Sequence, residues 1–460
     1  MFNKILVANR GEIAIRIMRA CREIGITTAA VYSDADRLAL HVTYADETYH
    51  IGPSPSKESY LAIDKIIETA RRCGADAIHP GYGFLAENAD FAAACEASGI
   101  VFIGPRSESI RRMGNKLEAR RTMKTSGVPV IPGDDEPIRS PAAAAASARE
   151  LTYPVMIKAA AGGGGKGMRV VRDEREFGRA LEMTMGEAES AFGDSSVYIE
   201  KFIERPKHIE FQVLADGKGK VWTLGERECS LQRRHQKVME EAPSPSMTPE
   251  LRQEIGDVVR KAVRETGYRS LGTLEFIMDE DKKLYFLEMN TRVQVEHPVT
   301  EMATGLDLVA LQIRVAAGEE VDLPDTRPWS FRGHAIECRV NAEDPKTFAP
   351  WPGLISEYHP PGGAGVRVDS GVYGGWKVPS DYDSLIAKLI VHAPTRAEAI
   401  VRMRRALGEF IVGGIRTNIA LHKRLLEDAD VLDGTMTTRT IEQVLAADAA
   451  RAAAEGPSSS

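Results

Sequence analysis

Gly162, Gly163, Gly164 and Gly165 are consecutive, are followed by Lys166, Gly167 and Met168, and lie between two strand-like runs, residues 154–158 and 169–171. That placement constrains the fold strongly. A Walker-type phosphate loop needs a helix directly after its Gly-Lys-Ser/Thr, whereas here the chain returns to strand, so the run is the tip of a two-stranded flap. Without Cβ atoms, backbone N–H groups can converge on phosphate oxygens, and Lys158 and Lys166 add positive charge on either side. A flap of this composition is a mobile lid that can close over an activated phosphate and exclude water.

The rest of the chain sets the lid in a larger body. With 460 residues, 43% of them hydrophobic, several cores can form, and roughly two to four domains are expected. A net charge of −7 argues against an extended nucleic-acid surface. The five cysteines form no Cys-x-x-Cys pair, which points away from a disulfide framework or thiolate zinc and toward a reducing cytoplasm. No run approaches about 18 apolar residues, so no membrane span is expected, and residues 4–8 read as a first strand rather than a signal peptide. Strand, helix and strand follow one another from there, an α/β Rossmann-like beginning. Its first turn holds only Gly11, so the dinucleotide fingerprint is absent. A second turn sets Gly81 and Gly83 around an exposed Tyr82. Helix is expected over 59–73, 174–190, 396–410 and 438–449.

Acidic and amide groups then gather. Glu275 sits in a strand-like run whose polar turn at 279–283 leads back to Glu288, so the two carboxylates can face each other across neighbouring strands. They repel unless a cation lies between, and magnesium or manganese is the natural occupant, with Asn290 completing an oxygen shell. From Glu288 to Glu296 every even position carries a charge or amide. Read as extended chain, this puts Glu288, Asn290, Arg292, Gln294 and Glu296 on one face. Alternation in 207–213 groups His208 with Glu210 and Gln212 for phosphate contact; Glu200 and Lys201 can present an acid and backbone to adenine and ribose. Gln232, His235 and Lys237 can meet anions. Phosphoryl transfer to an alcohol leaves Arg292, Gln294, Glu296, Lys237 and Arg339 unused, so activation of a small acid fits better.

These segments, together with residues 4–14, 79–85, 232–237, 288–301, 333–344 and 382–389, resemble biotin carboxylase, an ATP-grasp ligase, over about residues 3 to 446. The resemblance implies an α/β N-terminal domain at 1–114, an α+β ATP-grasp domain at 115–329 with its lid at about 132–203, a mixed α+β C-terminal domain at 330–447, and a disordered tail at 448–460. It implies ATP-dependent carboxylation of biotin by bicarbonate through carboxyphosphate, with two magnesium or manganese ions. Lys116, Lys158 and His208 then contact phosphate under the glycine lid; Glu200, Lys201 and Ile203 form the adenine hinge, with Met168 and Ile277 in its pocket and Gln232 and His235 nearby. Glu275, Glu288 and Asn290 hold metal. Arg292, Gln294 and the Val295 backbone hold bicarbonate, Glu296 is the base, Lys237 stabilises the activated anion, and Arg339 with Tyr82 meets biotin. The family pattern implies a homodimer working with a biotin carboxyl carrier protein and carboxyltransferase subunits, most simply in acetyl-CoA carboxylase and fatty-acid synthesis.

Overall fold

The uninterrupted apolar strand Lys4–Val7 lies at the centre of a five-stranded parallel sheet, in the order Glu47–Gly52, Thr27–Ser33, Lys4–Val7, Ala77–His79, Val101–Phe102. Both of its faces are covered, as a parallel sheet requires: Ile5 and Val7 pack with Ile13 and Ile17, while Leu6 packs on the other side with Ile66 and Phe91. Gly11 opens the first helix, Gly11–Glu23, at φ +65°, a left-handed conformation that disfavours a side chain. The computed structural model describes residues 1–160, 167–324 and 330–455. The expected helix over 59–73 starts later, at Ile63–Cys73.

The flap has the expected limbs. The strand Val155–Ala159 pairs antiparallel with Met168–Val171, setting Lys158 opposite Met168, and with Val197–Lys201 on its other edge. The helices Pro141–Leu151 and Glu174–Phe192 close a small separate core with Ala144, Ile157, Phe177 and Leu181. Gly162, Gly163, Gly164, Gly165 and Lys166 lie outside the described residues.

An eight-stranded antiparallel sheet forms the body, running from Leu284–Asn290 through Arg269–Met278, Lys207–Asp216, Val221–Arg233 and Gln236–Ala242 to His334–Asn341, Leu385–Ala393 and Val366–Ser370. Because Met239 pairs with Cys338, the C-terminal part continues the central sheet. With the α/β unit and the lid, this is a three-domain ATP-grasp architecture.

Two further expectations are corrected. The strand carrying Glu288 ends at Asn290, and residues 291–296 turn away, because the Thr291 N–H leaves the ladder to bond the Glu87 carboxylate at 3.0 Å. The expected tail at 448–460 begins too early: residues 448–455 belong to the helix Thr440–Glu455, whose alanines favour helix and whose Asp448 is held by Arg424 at 3.0 Å.

Candidate active site

Strand register builds the centre. Glu288 lies opposite Glu275, Glu275 opposite Glu210, and Glu210 opposite Arg227, so one transverse row across four strands carries three acids and an arginine. The antiparallel pairing anticipated for Glu275 and Glu288 is present. Arg227, wholly buried, donates to Glu210 at 2.5 Å, to Gln212 at 2.7 Å and to Thr300 at 2.9 Å, tying the row to the helix His297–Thr304.

Lys237 reaches over this row from the neighbouring strand. Its ammonium lies 2.5 Å from Glu210, 3.1 Å from Glu275 and 2.5 Å from Glu296. Burial alone would raise the Glu275 carboxyl, but Lys237 and His208 outweigh it and hold that group below the ordinary carboxylate range. Glu288 behaves oppositely: burial, and then the charge of Glu275, push it up, and Lys116 offsets only part of this. A cation placed between the two carboxylates would relieve the repulsion that Glu275 exerts on Glu288. Glu275, Glu288 and Asn290 are an oxygen donor set that fits magnesium or manganese. A further cluster, His208, Glu210 and Glu275, brings ligand atoms within 4.8 Å of one another. There, however, the Lys237 ammonium already contacts both acids.

The turn after Asn290 folds back on the row. Gln294 donates to Glu275 at 2.9 Å, and Asn290 donates to the same oxygen at 2.9 Å. Arg292 is fixed from both sides, donating to Asn290 at 2.7 Å and to Glu87 of the N-terminal unit at 2.8 Å. Glu296 is 2% exposed and bridges Lys237 to Arg339, which donates to it at 2.9 Å and to Glu240 at 2.5 Å. Burial raises Glu296, yet Lys237 and Arg339 leave it depressed and ionised. Arg292, Gln294, Glu296, Lys237 and Arg339 therefore meet at one place, through a turn rather than a strand face.

Two spaces border the row. One, of about 190 Å³, is lined by Glu87, Lys116, Glu288 and Asn290 among others; the second, about 30 Å³, by Lys116, Arg120, Lys158, Tyr198, Glu200 and Glu288. Lys116 begins the helix Lys116–Thr125 and is pushed down by burial despite Glu288. Lys158 lies 2.5 Å from Glu200, whose other oxygen meets Arg120 at 3.3 Å. The Glu200 side chain is thus engaged by these cations. The Lys201 side chain donates to Thr152 at 2.9 Å, along the lid hinge, while Ile203 is half-buried beyond it. Gly167 accepts the Ala159 N–H at 2.8 Å, next to Met168.

His208 lies 3.0 Å from Glu275 and bonds Gln232 at 2.8 Å; Ile277 is opposite His208 in register. His235 sits apart, exposed at the hairpin turn with φ +66°. Tyr82 donates its hydroxyl to Glu12. Sequence reasoning passed over Glu87, Arg120, Arg227 and Tyr198 as site residues. Only Arg227 left a signal, alternating with Cys229 along its strand; the others lie on segments whose partners are distant in the chain.

Comparison with known proteins agrees with the three-domain architecture. Family models match residues 1–110 (biotin carboxylase, N-terminal domain), 115–323 (carbamoyl-phosphate synthase L chain, ATP binding domain) and 337–443 (biotin carboxylase C-terminal domain). A pyruvate carboxylase subunit of Methanothermobacter thermautotrophicus is 56% identical over 444 residues, covering 96% of this chain and 90% of that one. Biotin carboxylase 1 of Bacillus subtilis is 54% identical over 444 residues, covering 96% and 98%. Among solved structures, the biotin carboxylase domain dimer of Hydrogenobacter thermophilus 2-oxoglutarate carboxylase, in complex with MgADP, ADP and bicarbonate, superposes with a TM-score of 0.91 at 51% identity, covering 97% of this chain and 99% of that one.

Proposed function

The chain belongs to the biotin carboxylase family of ATP-grasp enzymes, and from that premise we propose which residues carry out its ATP- and bicarbonate-dependent carboxylation of biotin, and in what setting. The observation that carries the reading is the chain of contacts Glu275–Lys237–Glu296–Arg339, with Gln294 and Arg292 beside it.

Bicarbonate sits against Arg292, Gln294 and the Val295 backbone, where guanidinium and amide donors suit a small planar anion. Glu296, ionised and within 2.5 Å of Lys237, takes the bicarbonate proton. The oxygen so exposed attacks the γ-phosphorus of ATP, whose phosphates lie between Lys116, Lys158 and His208, and the bond from that phosphorus to the β,γ-bridging oxygen breaks with ADP as the leaving group. When bound by Glu275, Glu288 and Asn290, divalent metal neutralises the triphosphate. Lys237 holds the carboxyphosphate formed, and the lid keeps water from it. Carboxyphosphate splits to carbon dioxide and phosphate; the phosphate takes the ureido proton of biotin, Arg339 holds the enolate oxygen, and N1 attacks carbon dioxide. Tyr82 borders the biotin pocket.

Solved relatives bound to MgADP and bicarbonate, and one described as a β-γ-ATP complex from Campylobacter jejuni, support ATP, magnesium and bicarbonate as ligands here. The dimeric relative supports a homodimer. Among the described residues no helix is long and apolar enough to cross a membrane. The biotin is borne on a carrier protein, and the first half-reaction serves a biotin-dependent carboxylase, with acetyl-CoA as the acceptor implied by the sequence resemblance. A second reading, pyruvate as acceptor, is favoured by the 56% identity to the Methanothermobacter pyruvate carboxylase chain.

The test is ADP formation from ATP and bicarbonate with and without free biotin or biotinylated carrier. Biotin stimulation with labelled carboxybiotin is expected; ammonia-dependent carbamoyl phosphate would overturn the reading. Labelled bicarbonate fixed into acetyl-CoA or into pyruvate, by the complex purified from its native cells, separates the two acceptors.

A further inference from the structure

Lys388 is a fully buried lysine on the strand Leu385–Ala393, opposite Arg339 in register, and no step above uses it. Its ammonium donates to the Val295 carbonyl at 2.8 Å and lies 3.2 Å from Glu12. Glu12, 5% exposed in the first helix, accepts the Tyr82 hydroxyl. A buried ammonium is costly unless paired, and both partners here come from elsewhere: one from the N-terminal unit, the other from the turn that carries Gln294 and Glu296.

The turn is held a second time. The Gln294 carbonyl accepts the His297 ring Nδ1 at 2.7 Å and the His297 N–H at 3.3 Å. In a planar trans peptide the N–H points opposite the carbonyl. With the carbonyls of Gln294 and Val295 both held, the N–H groups of Val295 and Glu296 are directed away from these holds. Among the described residues, neither donates to a protein acceptor. Two adjacent N–H donors fixed in direction, on the same turn as Arg292, suit a small anion.

We propose that Lys388 is a positioning residue for bicarbonate: by holding the Val295 carbonyl it aims the Glu296 N–H as a second backbone donor, and through Glu12 it couples that turn to the Tyr82 loop. This rests on the function proposed above. The competing role is purely structural, with Lys388 serving only to neutralise buried Glu12.

The test pairs Lys388→Met with Glu12→Gln, so that no unpaired acid stays buried, and adds Glu12→Gln alone. In the double variant the bicarbonate KM should rise about 10-fold or more, the loss of one charged hydrogen bond, while the ATP KM stays within about 2-fold. Glu12→Gln alone keeps the Val295 hold, so its bicarbonate KM should stay near wild type while its biotin KM rises about 3-fold or more. A wild-type bicarbonate KM in the double variant, or ATP and bicarbonate KM rising by the same factor, overturns the proposal. Should the double variant fail to fold, an unchanged biotin KM in Glu12→Gln overturns it, and the rise just stated supports it. A wild-type protein with no bicarbonate-dependent ADP formation would instead overturn the function on which the proposal rests.

Discussion

Glu296 and Arg339 face each other at 2.9 Å, yet the chemistry separates their duties. Glu296→Gln removes the proton acceptor and keeps the shape, so bicarbonate-dependent ADP formation should fall about 100-fold or more while nucleotide affinity, measured by calorimetry, is retained. Near-normal turnover would remove Glu296 from the base role. Arg339→Gln should lower carboxybiotin formation about 10-fold or more and basal ATP cleavage far less, because its guanidinium meets the enolate while Lys237 still holds Glu296 ionised. Equal losses in the two assays would make Arg339 structural. These residues were legible singly, since a carboxylate, amide and guanidinium row is an unusual thing to show water. Their partners were not: Glu87 holds Arg292 from 205 positions away, and Lys388 reaches Val295 across 93.

Among the elements, the hairpin of Arg269–Met278 and Leu284–Asn290 is the one whose geometry was readable, because a short polar turn between two strands fixes antiparallel register and so sets Glu275 opposite Glu288. Chelation with EDTA should abolish ATP turnover and magnesium should restore it. Glu288→Gln should move the magnesium midpoint upward by about 10-fold or more, read from initial rates; an unchanged midpoint would place the metal elsewhere. The segment after Asn290 was misread as strand, since its period of two is real but the Thr291 N–H finds a carboxylate from another unit. Periodicity reports which side chains differ from their neighbours; it does not report what captures the backbone. The C-terminal helix was cut short for a similar reason. The chain from 448 onward was expected to be a disordered tail, yet Arg424 anchors Asp448.

Across the whole molecule, three regions are tied by one buried charge network. Arg16 of the first helix meets Glu301 at 2.7 Å and Asp307 at 2.6 Å, and Arg367 meets Glu301 at 2.8 Å and Asp369 at 2.6 Å. Burial would raise Asp369, but Arg367 outweighs it and lowers the carboxyl to about 2. Its folded value lies below the unfolded one, so the unfolded chain binds the extra proton; the stability is complete above about pH 4 and is lost as pH falls toward 2. The shift corresponds to about 2 kcal/mol. In acid titrations of Tm, Asp369→Asn should therefore lower stability near neutrality and flatten the fall between about pH 4 and 2; an unaltered acid limb would exclude this linkage. Sequence alone determined the layered plan, the lid between two strands, and the residue types needed for phosphate, metal and a small acid, because period, glycine placement and turn chemistry act locally. Tertiary structure decided which charges meet. The row Glu288, Glu275, Glu210 and Arg227, the turn that brings Glu296 to Lys237, and the hold of Lys388 on Val295 all depend on register between strands and on contacts far apart in the chain, and no local pattern carries that information.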